Sequence, residues 1–119
     1  MKLEVRRFDD PDERQPFEKG VFERLAVGGA SLGRARYEPG WRWSTHVGPS
    51  VGTASCPVAH VGLVLAGRAA IRMDGGAFVV VGPGDVFAVP PGHDSWVVGD
   101  EPYVSIHLAG AEDYVRRKP

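Results

Sequence analysis

Two stretches of the sequence carry its most informative pattern: residues 39–67 (PGWRWSTHVGPSVGTASCPVAHVGLVLAG) and residues 82–93 (GPGDVFAVPPGH). Both contain histidines near turns rich in glycine and proline, between short apolar runs that are typical of β-strands. Histidines that arrive from separate strands of one small β-barrel can meet at a single metal ion. The two stretches therefore predict a β-fold and a candidate metal site together.

The same alternation of apolar runs and turns extends over most of the 119 residues. Seven to nine short strands at such close spacing predict a single all-β domain, either a sandwich or a barrel. We expect an irregular, charged arm over residues 1–20, a barrel over 21–110 and a short tail over 111–119. Within the arm a short strand is possible at residues 3–7, and one helical turn is possible at 111–117. The predicted barrel strands are residues 21–27, 31–37, 58–66, 68–73, 77–81, 86–89, 96–98 and 103–108.

Composition excludes several classes of function. A net charge of -1 gives no field that would attract nucleic acid or an anionic membrane. The basic cluster at residues 116–118 is expected to be a solvated tail. One cysteine cannot form a disulfide framework, and neither a signal peptide nor a membrane span is evident, so we expect a cytoplasmic protein.

The histidines lie in the most neutral part of the chain. Residues 43–67 contain no Asp, Glu, Lys or Arg, and residues 75–99 contain only Asp85 and Asp94 as charged residues. A buried neutral imidazole is suited to metal ligation, although the same neutrality is typical of ordinary core strands.

These residues resemble the two motifs of the cupin superfamily, whose members are jelly-roll β-barrels. Gly40, five residues and His46 match the start of the first motif, and His60, six residues and Gly67 match its end. The second motif resembles residues 84–92, where a glycine is followed after five residues by Pro-Pro-Gly. The resemblance covers roughly residues 33–110 and implies a cupin barrel, similar to small bacterial cupins of unassigned function.

The sequence also departs from the motifs. Gly48 stands at the second histidine of the first motif, and His60 stands at its glutamate. The segment between His46 and His60 is several residues longer than usual. In the second motif His93 directly follows the glycine, and the usual spacing lands on Ser95. Either register places His93 and Ser95 on one face, because side chains alternate along a strand.

The resemblance implies a divalent metal at His60 and His93, with His46 as the third ligand and water completing the site. Zinc is the first candidate, and iron, nickel and manganese are alternatives. The ordinary alternatives are a core histidine for His60 and a surface turn for His93. The expected pocket-lining residues are Cys56, Ser95, Trp43 and His107.

We therefore predict a metal-binding cupin that binds, or acts as an enzyme on, a small organic molecule inside the barrel. The alternatives are a non-catalytic sensor barrel, with no metal or a structural metal, and a purely structural dimer. A homodimer is expected because residues 61, 63 and 65 form an apolar outer face on one strand, which needs a cover. The alternative cover is the N-terminal part of the same chain.

Overall fold

Nine strands and two very short helices make up the described part of the protein, residues 2–115 of a computed structural model. The helices are α1 (Trp43–His46) and α2 (Gly48–Val51). The strands are β1 (Glu13–Phe17), β2 (Gly20–Val27), β3 (Ala30–Tyr37), β4 (His60–Ala66), β5 (Arg68–Met73), β6 (Phe78–Val81), β7 (Val86–Val89), β8 (His93–Val98) and β9 (Tyr103–Ala109).

The strands form two antiparallel sheets. One has six strands in the order β1-β2-β3-β9-β4-β7, and the other has three in the order β6-β5-β8. Strands contain 50% of the residues and helices 7%, so the prediction of a single all-β domain is confirmed. Within residues 2–115, no helix is long and apolar enough to cross a membrane.

Glycines allow the sharp connections that the sequence predicted. Asp74, Gly75 and Gly76 join β5 to β6, and Gly76 has a φ of 105°, which favours glycine. Gly67 joins β4 to β5 with a φ of 72°, and a Cβ there would lie 2.3 Å from the Pro102 carbonyl oxygen. The turn at Gly67 therefore combines a left-handed backbone with a close approach of two chain segments.

The N-terminal segment differs from the irregular arm that we expected. Strand β1 lies inside it and pairs with β2 from Glu13↔Arg24 to Phe17↔Gly20. Side-chain exposure alternates along β1, as in other strands. Its inward positions include the polar side chains of Glu13 and Gln15, so the sequence shows no alternation of apolar and polar residues there. The possible strand at residues 3–7 is absent from the structure over those residues.

The predicted metal site requires His46 on a barrel strand, but residues 43–46 and 48–51 form α1 and α2. The buried side chains Trp43, Val47 and Val51 are spaced four residues apart, which is a helical period. The N–H of His46 donates to the carbonyl of Arg42 at 2.8 Å. His46 therefore lies on a helical turn and not on a barrel strand.

The core lies between the two sheets. On β4 the inward side chains are at positions 60, 62 and 64, and on β9 they are at 103, 105 and 107. The predicted tail contributes as well, because Ala111, Tyr114 and Val115 are buried in a turn after β9. The basic cluster at residues 116–118 lies outside the described residues.

Candidate metal centre and its pocket

Three segments bring Cys56, His60 and His93 together inside the barrel. His60 opens β4 and His93 opens β8. Cys56 lies in the loop before β4. Its N–H donates to the His93 carbonyl at 2.7 Å, and its carbonyl accepts from the Gly92 N–H at 2.8 Å. All three side chains are buried. Backbone pairing thus fixes the cysteine beside the histidine of the second motif.

Two of the three donor-atom separations in this cluster are close to those around a tetrahedral ion. His60 Nε2 lies 3.2 Å from His93 Nε2 and 3.5 Å from Cys56 Sγ, and the three atoms all lie within 4.8 Å of one another. Ligand bonds of about 2.0 to 2.3 Å at tetrahedral zinc separate pairs of donors by about 3.4 to 3.6 Å. The residues present therefore fit a divalent ion with one further position.

A backbone contact sets the orientation of His93. Its Nδ1 lies 2.8 Å from the Pro90 carbonyl oxygen, which can only accept a hydrogen bond, so Nδ1 carries the proton. The lone pair of Nε2 is then directed at the cluster, as in metal-bound histidines whose second nitrogen is held by a carbonyl. By contrast, the Nδ1 atom of His60 is buried without a hydrogen-bond partner.

Burial controls the charge of all three groups. It lowers the pKa of His60 to about 2, with His107 and His93 adding repulsion, and it also lowers the pKa of His93. Burial raises the pKa of the Cys56 thiol to about 11. Both imidazoles are consequently neutral. For a metal to bind, the His60 proton must move from Nε2 to Nδ1 and the thiol must lose its proton.

His46 is not brought to this cluster. Its Nδ1 lies 2.9 Å from the backbone nitrogen of Arg42, at the start of its own helix α1. Cys56, which we expected among the pocket-lining residues, joins His60 and His93 in the candidate donor group, where we had expected His46. The candidate donor set is thus one thiol and two imidazoles.

A small cavity adjoins the cluster, and His60 and His93 form part of its wall. Ser95 and His107 line it as well, whereas Trp43 lies outside this lining, with its ring close to Gly48. Within residues 2–115, no Asp, Glu, Lys or Arg lines this cavity. Sequence reasoning did not place eight other lining residues in the pocket, which are Tyr37, Ala69, Ile71, Phe87, Val89, Tyr103, Ser105 and Tyr114.

His107 extends the group of buried imidazoles. Its ring centroid lies 5.2 Å from that of His60, and its Nδ1 has no hydrogen-bond partner. Burial, with repulsion from Arg24, lowers the pKa of His107 to about 3. Alternation of side chains along β9 could have placed Tyr103 and Ser105 in the pocket, because they share a face with His107. No local sequence feature indicated that Tyr114 lines it.

Comparisons with known proteins identify the fold. No protein-family model matches the sequence, and no curated protein matches it. A protein of unknown function from Rhizobium leguminosarum bv. viciae 3841 is similar in structure, with a TM-score of 0.63, 24% identity and coverage of 90% of this chain and 95% of that chain.

Two further solved structures connect the chain with cupins. A cupin-like protein from Thermotoga maritima has a TM-score of 0.54 and 21% identity, with coverage of 83% of this chain and 79% of that chain. CapF, solved with the inhibitor 3-isopropenyl-tropolone, has a TM-score of 0.53 and 16% identity, with coverage of 80% of this chain and 29% of that chain. The chain has the cupin fold, as its two motifs predicted.

Proposed function

We propose that this cupin-fold protein binds a divalent metal ion through Cys56, His60 and His93, and holds a small organic molecule in the adjoining pocket. The spacing of the three donor atoms, 3.2 and 3.5 Å about His60 Nε2, carries the proposal. Zinc is the favoured ion, because a thiolate with two imidazoles is a donor set that zinc takes readily.

Each residue has a defined task in this site. His93 is held in its ligating tautomer by the Pro90 carbonyl, His60 supplies the central donor, and Cys56 supplies negative charge on losing its proton. A bound ion of this kind supplies Lewis acidity toward an oxygen atom of a ligand. The uncharged lining favours a neutral molecule, because a buried charge without a partner is costly.

The alternative is a sensor or binding barrel in which the metal is absent or structural. The cavity supports a structural metal in particular, since its free volume of about 30 Å³ holds roughly one water molecule and leaves no room for an organic ligand beside the ion. Sites for organic ligands usually have about 300 to 1,000 Å³. A cobalt-loaded protein distinguishes these functions, because an open fourth position changes its visible spectrum when azide is added and a closed structural site does not.

Metal analysis tests the proposal directly. Protein purified without a nickel column, then incubated with zinc and desalted, should retain about one zinc per chain. The variants Cys56→Ser, His60→Ala and His93→Ala should each lose most of it. His46→Gln is the matched control and should keep the metal, because His46 lies outside the cluster. If His60→Ala and His93→Ala both fold and retain full metal content, the site is refuted.

We also propose that the protein forms a homodimer through the outer face of its six-stranded sheet. Val61 and Leu65 of β4 are 36% and 50% exposed, so the described N-terminal residues 2–37 leave them open to solvent. Val86 on β7 and Leu108 on β9 extend the apolar face, with exposures of 69% and 50%. Leu63 pairs with Val86 and with Ile106, so these neighbouring side chains share one side of the sheet.

Two copies packed through this face would remove a contiguous apolar surface from water, and interfaces of this kind bury about 800 Å² per partner. Light scattering at micromolar concentration should give about twice the mass of 12.8 kDa. Leu65→Lys should shift the mass to that of the monomer, whereas Arg72→Lys, on the exposed part of β5, should not. A monomeric wild-type protein would refute the dimer without affecting the metal site.

A further inference from the structure

Tyr114 fills the barrel interior from a turn that belongs to neither sheet. Its ring centroid lies 4.6 Å from that of His60 at an interplanar angle of 88°, and 4.8 Å from that of Phe22 at 75°. His107 lies 5.0 Å away on a further side. Edge-to-face contacts at these distances are favourable for aromatic rings. Three different strands, β2, β4 and β9, thus provide aromatic walls around this one ring.

The hydroxyl of Tyr114 has a specific partner in the same compartment. It lies 2.5 Å from the hydroxyl of Tyr37 on β3, a buried hydrogen bond between residues 77 positions apart. The barrel strands therefore provide aromatic walls and a hydrogen-bonding group at the end of the ring. A compartment with these walls and this hydrogen-bonding group could bind a phenol, and in this structure the side chain of Tyr114 occupies it.

The turn that carries Tyr114 is attached by its buried side chains and by polar contacts with β1 and β2. Arg24 donates from Nε to the Ala111 carbonyl at 2.8 Å and from Nη2 to the Tyr114 carbonyl. Gln15 donates to the Val115 carbonyl at 2.8 Å. Val115 has a φ of 51°, a left-handed conformation that is unfavourable for a β-branched side chain. The turn follows β9 and lies outside the strand pairing of both sheets, so its displacement breaks no hydrogen bonds between strands.

The remaining free space beside Tyr114 is too small for an organic ligand. About 30 Å³ is open in the cavity that Tyr114 helps to line, which is enough for about one water molecule. A larger molecule can reach His60 and His107 only if the Tyr114 ring leaves. The compartment that the ring vacates then sets the size, shape and hydrogen bonding of the molecule that enters.

We propose that the barrel contains a binding site for an uncharged phenol, and that Tyr114 is its built-in occupant, displaced when such a ligand binds. The ligand ring would lie between Phe22, His60 and His107, with its hydroxyl on Tyr37. Among the described residues, no Asp, Glu, Lys or Arg lines the cavity beside Tyr114, which matches a neutral ring, and the guanidinium of Arg24 lies 5.0 Å from the centroid of the Phe22 ring. This inference rests on the proposed function, since it specifies the class of organic molecule that would lie beside the metal cluster.

Phenol itself is the probe, titrated to millimolar concentration into the full chain, both as purified and after treatment with a chelator. Nuclear magnetic resonance should show saturable shifts at Phe22, His60 and His107, together with faster amide hydrogen exchange over residues 111–115. Anisole, which lacks the donor hydroxyl, should bind at least several-fold more weakly. Tyr37→Phe should remove most of the difference between phenol and anisole, because it removes the hydroxyl partner.

Tyr114→Gly provides the decisive comparison. If the native side chain competes with phenol, this variant should bind phenol at least about tenfold more tightly than wild type, because the competing state is gone. Saturable binding to Tyr114→Gly with none to wild type would identify Tyr114 as fixed core and overturn the proposal, as would no binding to either. If Tyr114→Gly does not fold, the wild-type titration and its hydrogen exchange decide alone.

The two proposals fail separately. Phenol binding to chelator-treated protein does not depend on the metal, so a lack of zinc uptake with intact phenol binding refutes the metal site only. Normal zinc uptake with no phenol binding refutes the displacement of Tyr114 only.

Discussion

Replacing His107 should make the metal-free protein less sensitive to acid. Burial lowers the pKa of His107 from 6.5 to about 3, so the folded state resists protonation at a pH where the unfolded chain accepts a proton. Below about pH 6.5 the unfolded state then binds more protons than the folded state, so the free energy of unfolding decreases as the pH is lowered. The contribution of His107 is fully present above pH 6.5 and is lost progressively as the pH falls toward 3.

The magnitude follows from the two pKa values. At pH 5, about 1.5 units below the unfolded pKa, the free energy of unfolding should have fallen by about 2 kcal/mol through His107 alone, at about 1.4 kcal/mol per unit. His60 adds a loss in the same direction, because burial lowers its pKa to about 2. Removing the imidazole of His107 should therefore remove about 2 kcal/mol of acid destabilisation and leave that of His60.

Urea unfolding at pH 7 and pH 5 in the presence of a chelator measures this difference. His107→Gln and His107→Phe, one polar and one apolar, should each lose about 2 kcal/mol less than wild type between the two pH values, whatever their stability at pH 7. Comparing the change with pH cancels the packing cost of each substitution. Equal losses in wild type and both variants would refute a neutral, buried His107 in the folded state.

Two further outcomes are expected. Gly62→Ala should destabilise the protein by about 1 to 3 kcal/mol through overpacking, because the new Cβ would lie 2.5 Å from the Phe87 ring and 2.9 Å from the Ile106 carbonyl oxygen. The control Gly75→Ala should not destabilise it, because the space around Gly75 is open. Urea unfolding at pH 7 measures the stability of both variants. Zinc at 100 times its dissociation constant should stabilise wild type by about 2.7 kcal/mol and should not stabilise the non-binding variant Cys56→Ser, as thermal unfolding would show.

The strand pattern was readable because turns and apolar runs are local features. The predicted strands 68–73 and 86–89 coincide with β5 and β7, and the face shared by Tyr103, Ser105 and His107 follows from strand parity alone. Strand β1 was missed because pairing with β2 stabilises it, and Arg24 contacts both Glu13 and Gln15 across that pair. Such a contact between strands is not visible in the local composition.

The site was predictable only where the chain follows the cupin motifs. His60 and His93 open β4 and β8, whereas the predicted strands began at residues 58 and 96, and the Nε2 atoms of the two histidines lie 3.2 Å apart. Tyr114 could not be assigned, because its place in the barrel depends on contacts with β2, β3 and β4 that are distant in sequence. A single tyrosine in a short terminal segment gives no indication of such contacts.

The exchange of His46 for Cys56 has a physical origin in the length of the segment between the two halves of the first motif. This segment is longer than in the motif, and the structure uses it to form α1 and α2, with Trp43, Val47 and Val51 buried. Burial of these side chains holds His46 on a helical turn. The chain then returns toward the barrel at Cys56, where two backbone hydrogen bonds connect it with Gly92 and His93. Packing of the inserted helices thus removes one donor, and backbone pairing supplies another beside the same two histidines.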